Sequence, residues 1–136
     1  MNEMTSNQKK KNIIRIMAVD DEGTLLVLMR KFLERSGYEV KTFNQGSDAL
    51  VTLGEWIPDI LLVDLQMPGM NGFEFLSTVN EQQLCPQSKI AVITGRNDPL
   101  DEGRVKSLGV HAFLYKPYKK EELLSVVKEL SPVSDS

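Results

Sequence analysis

The chain has 136 residues, of which 41% are hydrophobic and 26% charged, and its net charge at pH 7 is −3. This length predicts one domain of ordinary size, which would bury about 70% of the surface that the unfolded chain exposes. The acidic balance argues against direct nucleic-acid binding by the domain as a whole. The single cysteine excludes an internal disulfide and is typical of a reducing compartment.

The two ends of the sequence are short and polar. We predict a flexible N-terminal lead over residues 1–11, one domain over residues 12–130, and a flexible C-terminal tail over residues 131–136. No apolar run approaches the roughly 20 residues of a membrane span, and the start lacks the apolar core of a signal peptide. The sequence therefore predicts a cytoplasmic protein without a membrane span.

Between these ends, strand-like and helix-like segments alternate five times. Continuous apolar runs predict buried parallel strands, and apolar residues three and four positions apart predict helices. The half-polar run over residues 39–43 predicts an edge strand. In chain order, the predicted strands are 13–19, 39–43, 60–64, 89–94 and 112–115, and the predicted helices are 23–36, 47–56, 73–80, 99–108 and 121–130.

This alternation with short linkers predicts a parallel sheet with right-handed crossovers and helices on both faces. Because the half-polar second strand belongs at an edge, we predict a doubly wound α/β fold of the flavodoxin-like type. Its five strands would take the order 2-1-3-4-5, with the switch point between the first and third strands. Ligands of such sheets bind beyond the carboxyl ends of the strands at that point.

Carboxylates follow the two strands that flank the predicted switch point. Asp20 and Asp21 come directly after the first strand, and Asp64 ends the third. Packed into one crevice these groups repel one another, so a hard divalent cation, Mg2+ (or Mn2+), would stabilise them. A carboxylate beside such an ion can attack phosphorus. Asp64, which stands alone at the end of its strand, is the predicted nucleophile.

A hydroxyl and an ammonium follow the next two strands. Lys116, together with the cation, would neutralise charge on a phosphoryl group, and the Thr94 hydroxyl would donate a hydrogen bond to it. Each of these residues taken alone is more often structural, and an acidic pair can simply open a helix. Their coincidence at the ends of four strands of one predicted sheet favours a phosphoryl site.

The segments around these groups, residues 19–22, 62–72, 93–95 and 115–117, resemble the receiver domain of two-component response regulators, of the chemotaxis-regulator type. The resemblance covers about residues 12–130. It implies the receiver fold and a phosphorelay in which Asp64 accepts the phosphoryl group from a sensor histidine kinase or a histidine phosphotransfer protein. It implies no enzyme activity beyond the chain's own phosphorylation and dephosphorylation.

The resemblance also implies a role for each acidic residue. Asp21 and Asp64 would bind Mg2+ directly, together with the backbone carbonyl of Gln66, and Asp20 would act mainly through water. Gln66, two residues after the acceptor, and Arg96, two residues after Thr94, match the positions that tune the lifetime of the phosphoryl group.

On the other two strands, Lys116 would pair with the phosphate, and its peptide bond to Pro117 would be cis. Thr94 would be the switch hydroxyl, and the small Gly95 beside it would leave room for a phosphodonor.

Phe113 matches the aromatic switch position of the family, and Tyr115, on the same face of the strand, is the alternative. By resemblance, phosphorylation would draw Phe113 inward and alter the face made by the fourth helix, fifth strand and fifth helix. That face would then bind an effector protein, which the sequence does not identify, or form a homodimer.

Other functions fit these residues less well. An Asp-nucleophile, Mg2+-dependent phosphohydrolase needs a second carboxylate two residues after the nucleophile, where this chain has Gln66, and a cap domain for its substrate. A flavodoxin-like binding module would carry a phosphate-cradling loop where this chain has acidic residues. A non-phosphorylated interaction module is the alternative if the site is inactive.

Overall fold

A computed structural model describes residues 13–95 and 99–132, without the side chains of residues 99–102. The predictions for residues 1–11 and 133–136 and for Arg96 lie outside the described residues. In chain order the elements are β1 Arg15–Val19, α1 Gly23–Arg35, β2 Glu39–Phe43, α2 Gly46–Leu53, β3 Ile60–Asp64, α3 Gly72–Glu81, β4 Lys89–Thr94, α4 Pro99–Lys106, β5 Ala112–Tyr115 and α5 Lys120–Leu130.

The five strands form one sheet in the order β2-β1-β3-β4-β5, with every neighbouring pair parallel. This confirms the predicted doubly wound fold. β2 is an edge strand whose Glu39 and Lys41 are exposed, whereas all five residues of the central β3 are buried. β1 begins at Arg15, where its pairing with Glu39 starts, two residues later than predicted.

Alternation along the strands sends side chains to two apolar clusters, one on each face of the sheet. One face packs against α2, α3 and α4, and the other against α1 and α5. Full burial of a large apolar side chain contributes about 1.5–3 kcal/mol. The largest side chains buried in this way are Phe75, Ile16, Met17, Met29, Leu33, Leu53, Ile60, Leu61, Leu62, Leu76, Ile93 and Leu123.

A glycine ends α1. Gly37 has a φ of 97°, a left-handed conformation that glycine adopts without steric cost. Its N–H donates to Glu34 O, and the N–H of Tyr38 donates to Leu33 O, so the last carbonyls of the helix are satisfied. The chain then turns directly into β2.

Two helices end earlier than predicted. α2 stops at Leu53, because the N–H groups of Gly54 and Glu55 donate to carbonyls three residues back, Val51 O and Thr52 O, instead of four. α4 stops at Lys106, and Leu108 lies in a turn in which its N–H donates to Val105 O. Such tight bonds satisfy the last carbonyls of a helix and end it.

None of the helices in the described part of the chain combines the length and apolar content needed to cross a bilayer.

Candidate functional site

The carboxyl ends of β1, β3, β4 and β5 lie along one edge of the sheet. The parallel register pairs Asp64 with Ile93 and Thr94 with Tyr115, so the strand ends arrive side by side. Asp20, Asp64 and Thr94 are buried there. The fold therefore brings the predicted acidic and hydroxyl groups into one crevice.

The three aspartates form a compact acidic cluster. One carboxylate oxygen from each of Asp20, Asp21 and Asp64 lies within 4.8 Å of the others. Asp21 is exposed, whereas Asp20 and Asp64 are 1% and 3% exposed. Asp20 Oδ1 accepts a hydrogen bond from the Glu22 N–H at 2.9 Å, and Asp64 Oδ1 accepts one from the Gln66 N–H at 3.1 Å. These amides fix the orientation of both buried carboxylates.

Lys116 joins the cluster from the end of β5. Its Nζ lies 3.1 Å from Asp20 Oδ2, 3.3 Å from Asp64 Oδ2 and 3.3 Å from Glu22 Oε1. Its backbone N–H donates to Thr94 O at 2.8 Å, which ties the end of β5 to the end of β4. The Lys116 ammonium thus forms ion pairs with three carboxylates.

The electrostatics of the cluster favour an added positive charge. Burial, the largest cause, and the charge of Asp20 raise the pKa of Asp64 to about 7, although the Gln66 N–H and Lys116 act to lower it. Burial alone would lower the pKa of Lys116, but the carboxylates of Asp20 and Asp64 raise it above its ordinary value. Lys116 therefore stays positively charged, but its single charge does not balance the negative charges of the buried Asp20 and Asp64.

This donor set fits a hard divalent cation. Asp20 Oδ2 is buried without a hydrogen-bond partner, and the cluster offers the oxygen ligands that Mg2+ prefers. A cation on Asp20, Asp21 and Asp64 would offset the burial and the repulsion from Asp20 that raise the pKa of Asp64. The Gln66 carbonyl as a further ligand remains a prediction.

The loop between β3 and α3 folds back across Asp64. Gly72 N–H donates to Leu65 O at 3.0 Å. A Cβ on Gly72 would lie 2.5 Å from Asp64 O and 2.6 Å from Leu65 Cα, so only glycine permits this approach. Asn71 and Glu74 then start α3 with reciprocal bonds of 2.9 and 3.0 Å, a capping box.

The remaining predicted residues surround this centre. Thr94 is buried at the end of β4, and a Cβ added to Gly95 would meet no described heavy atom within 4 Å. The peptide bond before Pro117 is cis. Phe113 is half-buried and stacks on Tyr115 with ring centroids 6.3 Å apart, so both rings lie on the same face of β5.

Sequence analysis missed two residues of this site. Glu22 contacts Lys116, and the only available signal was that it extends the acidic run of Asp20 and Asp21. Tyr118, two residues after Lys116, has a buried hydroxyl, and burial and the charge of Asp20 raise its pKa to about 12. An aromatic residue at that position predicts packing alone, so the sequence carried no signal for the hydroxyl.

The family model of the response regulator receiver domain matches residues 16–128. The chain belongs to this family. It is 32% identical over 116 residues to the phosphate regulon transcriptional regulatory protein PhoB of Rhizobium meliloti, which covers 85% of this chain and 51% of that protein. It is 26% identical over 119 residues to protein PilG of Pseudomonas aeruginosa, covering 88% of each. Chemotaxis protein CheY4 of Vibrio cholerae matches with a TM-score of 0.83 and 30% identity over 87% of this chain and 98% of that chain.

The chain is therefore a response regulator receiver domain of two-component signalling, as the resemblance implied. It spans about half the length of PhoB and of several other curated relatives that it matches. Response regulators work with histidine kinases and downstream effectors, and receiver domains generally bind Mg2+. The acidic cluster of this receiver domain is consistent with both phosphorylation and Mg2+ binding.

Proposed function

We propose that this receiver accepts a phosphoryl group on Asp64 from a sensor histidine kinase or a histidine phosphotransfer protein, in a Mg2+-dependent step. One observation carries the proposal: a buried Asp64 shares its crevice with Asp20 and Asp21, within 4.8 Å, and with Lys116 Nζ at 3.3 Å. Such a set supplies a nucleophile, ligands for a cation and a fixed positive charge.

In this step a carboxylate oxygen of Asp64 attacks phosphorus and forms an O–P bond. The bond from phosphorus to the donor nitrogen breaks, and the imidazole of the donor keeps its electron pair. Lys116 Nζ, already beside Asp64, stabilises the added negative charge. Bound Mg2+ (or Mn2+) supplies further positive charge for the phosphoryl oxygens.

The other residues hold and regulate the group. Asp20, Asp21 and the Gln66 carbonyl would complete the cation site with Asp64. Thr94 would donate its hydroxyl to a phosphoryl oxygen. Among the described residues no heavy atom lies within 4 Å of a Cβ placed on Gly95, which supports access by a donor. Gln66 and Arg96 would set the lifetime of the aspartyl phosphate.

Phosphorylation adds nearly two negative charges beside β4 and β5. Thr94 and Lys116 would be drawn to them, and the half-buried Phe113 would turn inward, altering the face made by α4, β5 and α5. A shift from mostly off to mostly on takes about 5 kcal/mol. Two or three charge-assisted hydrogen bonds of about 1.5–3 kcal/mol each would supply it.

An effector protein would bind the altered face, or two copies would pair there. Catalysis is limited to the chain's own phosphorylation and dephosphorylation, with no direct binding of nucleic acid. The cytoplasmic location and the domain limits 12–130 remain predictions.

Intact-mass spectrometry after incubation with acetyl phosphate and Mg2+ tests the proposal. We expect one phosphate adduct on the wild type, none on Asp64→Asn, and none when EDTA is present. Asp48→Asn is a matched control, because Asp48 is an exposed carboxylate in the first turn of α2, and it should keep the adduct.

A beryllofluoride titration followed by amide NMR covers a phosphate too short-lived to detect by mass. Absence of both the adduct and the beryllofluoride shifts would contradict the proposal and favour an interaction module. Steady hydrolysis of a phosphate monoester such as p-nitrophenyl phosphate, lost in Asp64→Asn, would favour the phosphohydrolase instead.

A further inference from the structure

The Lys116 ammonium is surrounded by carboxylates. It donates hydrogen bonds to Glu22 Oε1 and to Asp64 Oδ2, both at 3.3 Å, and it lies 3.1 Å from Asp20 Oδ2. A lysine ammonium carries three N–H donors and no acceptor. Three carboxylates therefore share three donors, and a further acceptor at this nitrogen would have to replace one of them.

The three carboxylates around Lys116 differ in their access to water. The side chains of Asp20 and Asp64 are 1% and 4% exposed, whereas that of Glu22 is 60% exposed. A buried carboxylate that loses its cation leaves an uncompensated charge inside the protein, which is strongly destabilising. An exposed carboxylate is solvated instead, and ion pairs at the surface contribute little to stability. Glu22 is therefore the partner that Lys116 loses at the smallest cost.

A phosphoryl group on Asp64 would compete with Glu22 for this ammonium. Lys116 Nζ lies 3.3 Å from Asp64 Oδ2, so phosphorus bonded to Asp64 would bring its anionic oxygens next to the same nitrogen. Hydrogen bonds from an ammonium to phosphate oxygens are charge-assisted and about twice as strong as neutral ones. The phosphoryl oxygens and the Glu22 carboxylate would also repel each other, because both are negative and both would lie beside Lys116.

The backbone of Glu22 is held independently of its side chain. Its N–H donates to Asp20 Oδ1 at 2.9 Å, and its carbonyl accepts from the Leu26 N–H at 3.0 Å in the first turn of α1. Its side chain makes no capping bond to the helix that it precedes. The carboxylate can thus turn away from Lys116 while the loop between β1 and α1 keeps its shape.

We propose that Glu22 occupies the Lys116 donor that the phosphoryl group takes on phosphorylation, and that the Glu22 carboxylate is displaced into solvent in that step. Glu22 is then a positioning residue that restrains phosphorylation, because its contact with Lys116 has to break before Lys116 turns to the phosphate. This inference rests on the proposed function, since the displacing group is the phosphoryl group on Asp64.

The test titrates beryllofluoride, a phosphoryl analogue, into the wild type and Glu22→Gln in MgCl2 and follows the backbone amide NMR signals of Asp64 and Thr94. We expect Glu22→Gln to bind the analogue about two- to fivefold more tightly, the range that one surface ion pair contributes. The neutral amide holds the ammonium less strongly than the carboxylate does, so less has to be broken when the analogue binds.

Two further variants separate the contact from the charge. Glu22→Asp keeps the charge, but its side chain is one methylene shorter and should no longer reach Lys116, so we expect it to bind the analogue more tightly as well. Asp48→Asn removes an exposed negative charge in the first turn of α2. Asp48 is not among the carboxylates that contact Lys116, so the affinity of this variant should equal that of the wild type.

A crystal structure of the wild type with Mg2+ and beryllofluoride measures the displacement directly. We expect the distance from Glu22 Oε1 to Lys116 Nζ, now 3.3 Å, to exceed the ion-pair limit of about 4 Å, with Lys116 on the analogue. A distance that stays near its present value would overturn the inference, since Lys116 would then serve both groups at once.

The titration separates failure of the inference from failure of the proposed function. Saturable binding that is equal or weaker in Glu22→Gln and Glu22→Asp would overturn the role of Glu22 and leave Asp64 as the acceptor. Tighter binding in Glu22→Gln alone would also overturn it, because the charge and not the contact would be the cause. No saturable shift in the wild type would contradict both the inference and the proposed function.

Discussion

Helices α3 and α4 lie on the same face of the sheet, on either side of β4 in the chain, and they are held very differently. α3 starts with a capping box and buries four residues along one side, Gly72, Phe75, Leu76 and Val79. Over the residues of α4 whose side chains are described, 103–106, Val105 is buried and the others are exposed. The firmly packed helix follows the strand of Asp64, and the lightly packed one follows the strand of Thr94.

The difference in packing between α3 and α4 fits two different roles within the receiver. Stability varies along a chain, and elements that move in switching come from its less stable part. Under the proposed function, the nucleophile Asp64 needs a fixed position, which β3 and the capped α3 would supply. The proposed switch needs an element that a small free energy can shift, and α4, of whose described side chains only Val105 is buried, would be that element.

Among the variants considered, Gly72→Ala should destabilise the packing around Asp64 and α3 most. The added Cβ would meet backbone atoms 2.5 and 2.6 Å away, and backbone cannot yield as a flexible side chain can. We expect the free energy of unfolding to fall by about 3 kcal/mol or more, and phosphorylation of Asp64 to fall with it. Urea unfolding followed by circular dichroism measures the first effect.

Gly103→Ala in α4 is the control from the lightly packed side. A Cβ on Gly103 would meet no described heavy atom within 4 Å, so a gain of about 0.5–1 kcal/mol is expected from helix propensity. Equal losses in the two variants would show that α3 and α4 are not packed differently.

A smaller effect should come from pH in the absence of divalent cations. The ordinary pKa of an aspartate is about 3.9, whereas that of native Asp64 is raised to about 7 by its burial. Between these values the native state binds more protons than the unfolded state, so stability falls as pH rises. We expect a loss of roughly 2 kcal/mol from pH 5 to pH 8.

Urea unfolding at a series of pH values measures this slope. Asp64→Asn should flatten it, because the amide does not titrate, and saturating Mg2+ should reduce it by stabilising the carboxylate. If the free energy of unfolding falls with pH as steeply in Asp64→Asn as in the wild type, ionisation of Asp64 does not cause the loss of stability.

The smallest effect concerns the contact between the two helices. Arg104 Cζ of α4 lies 4.1 Å from the ring centroid of Phe73 in α3, a cation–π contact. Arg104→Ala should lower stability by about 0.5 kcal/mol and increase amide hydrogen exchange in α4. Lys106→Ala, which removes another exposed cation of α4, should leave exchange at Val105 near the wild-type rate. Equal exchange in the two variants would count against this contact as the anchor of α4.

The sequence by itself determined the architecture, because each pattern that specifies it involves residues close together in the chain. Continuous apolar runs identify the central strands, the half-polar run over 39–43 identifies the edge, and Gly37 ends α1 in the left-handed conformation that glycine allows. The strand order follows from these patterns and the handedness of crossovers. Parallel strands bring their carboxyl ends to one edge, so the meeting of Asp20, Asp64, Thr94 and Lys116 was also predictable.

Only the tertiary structure decided how these groups are partnered. Lys116 is shared with Glu22, Gly72 approaches Asp64 O too closely for a Cβ, and the Tyr118 hydroxyl is buried. These features depend on contacts between elements that meet only in the folded protein. The helix ends at Leu53 and Lys106 likewise depend on tight turn bonds that apolar periodicity does not encode. Sequence pattern specifies which face a residue occupies, but distances of 3 Å and the burial of single atoms arise only when the packed elements meet.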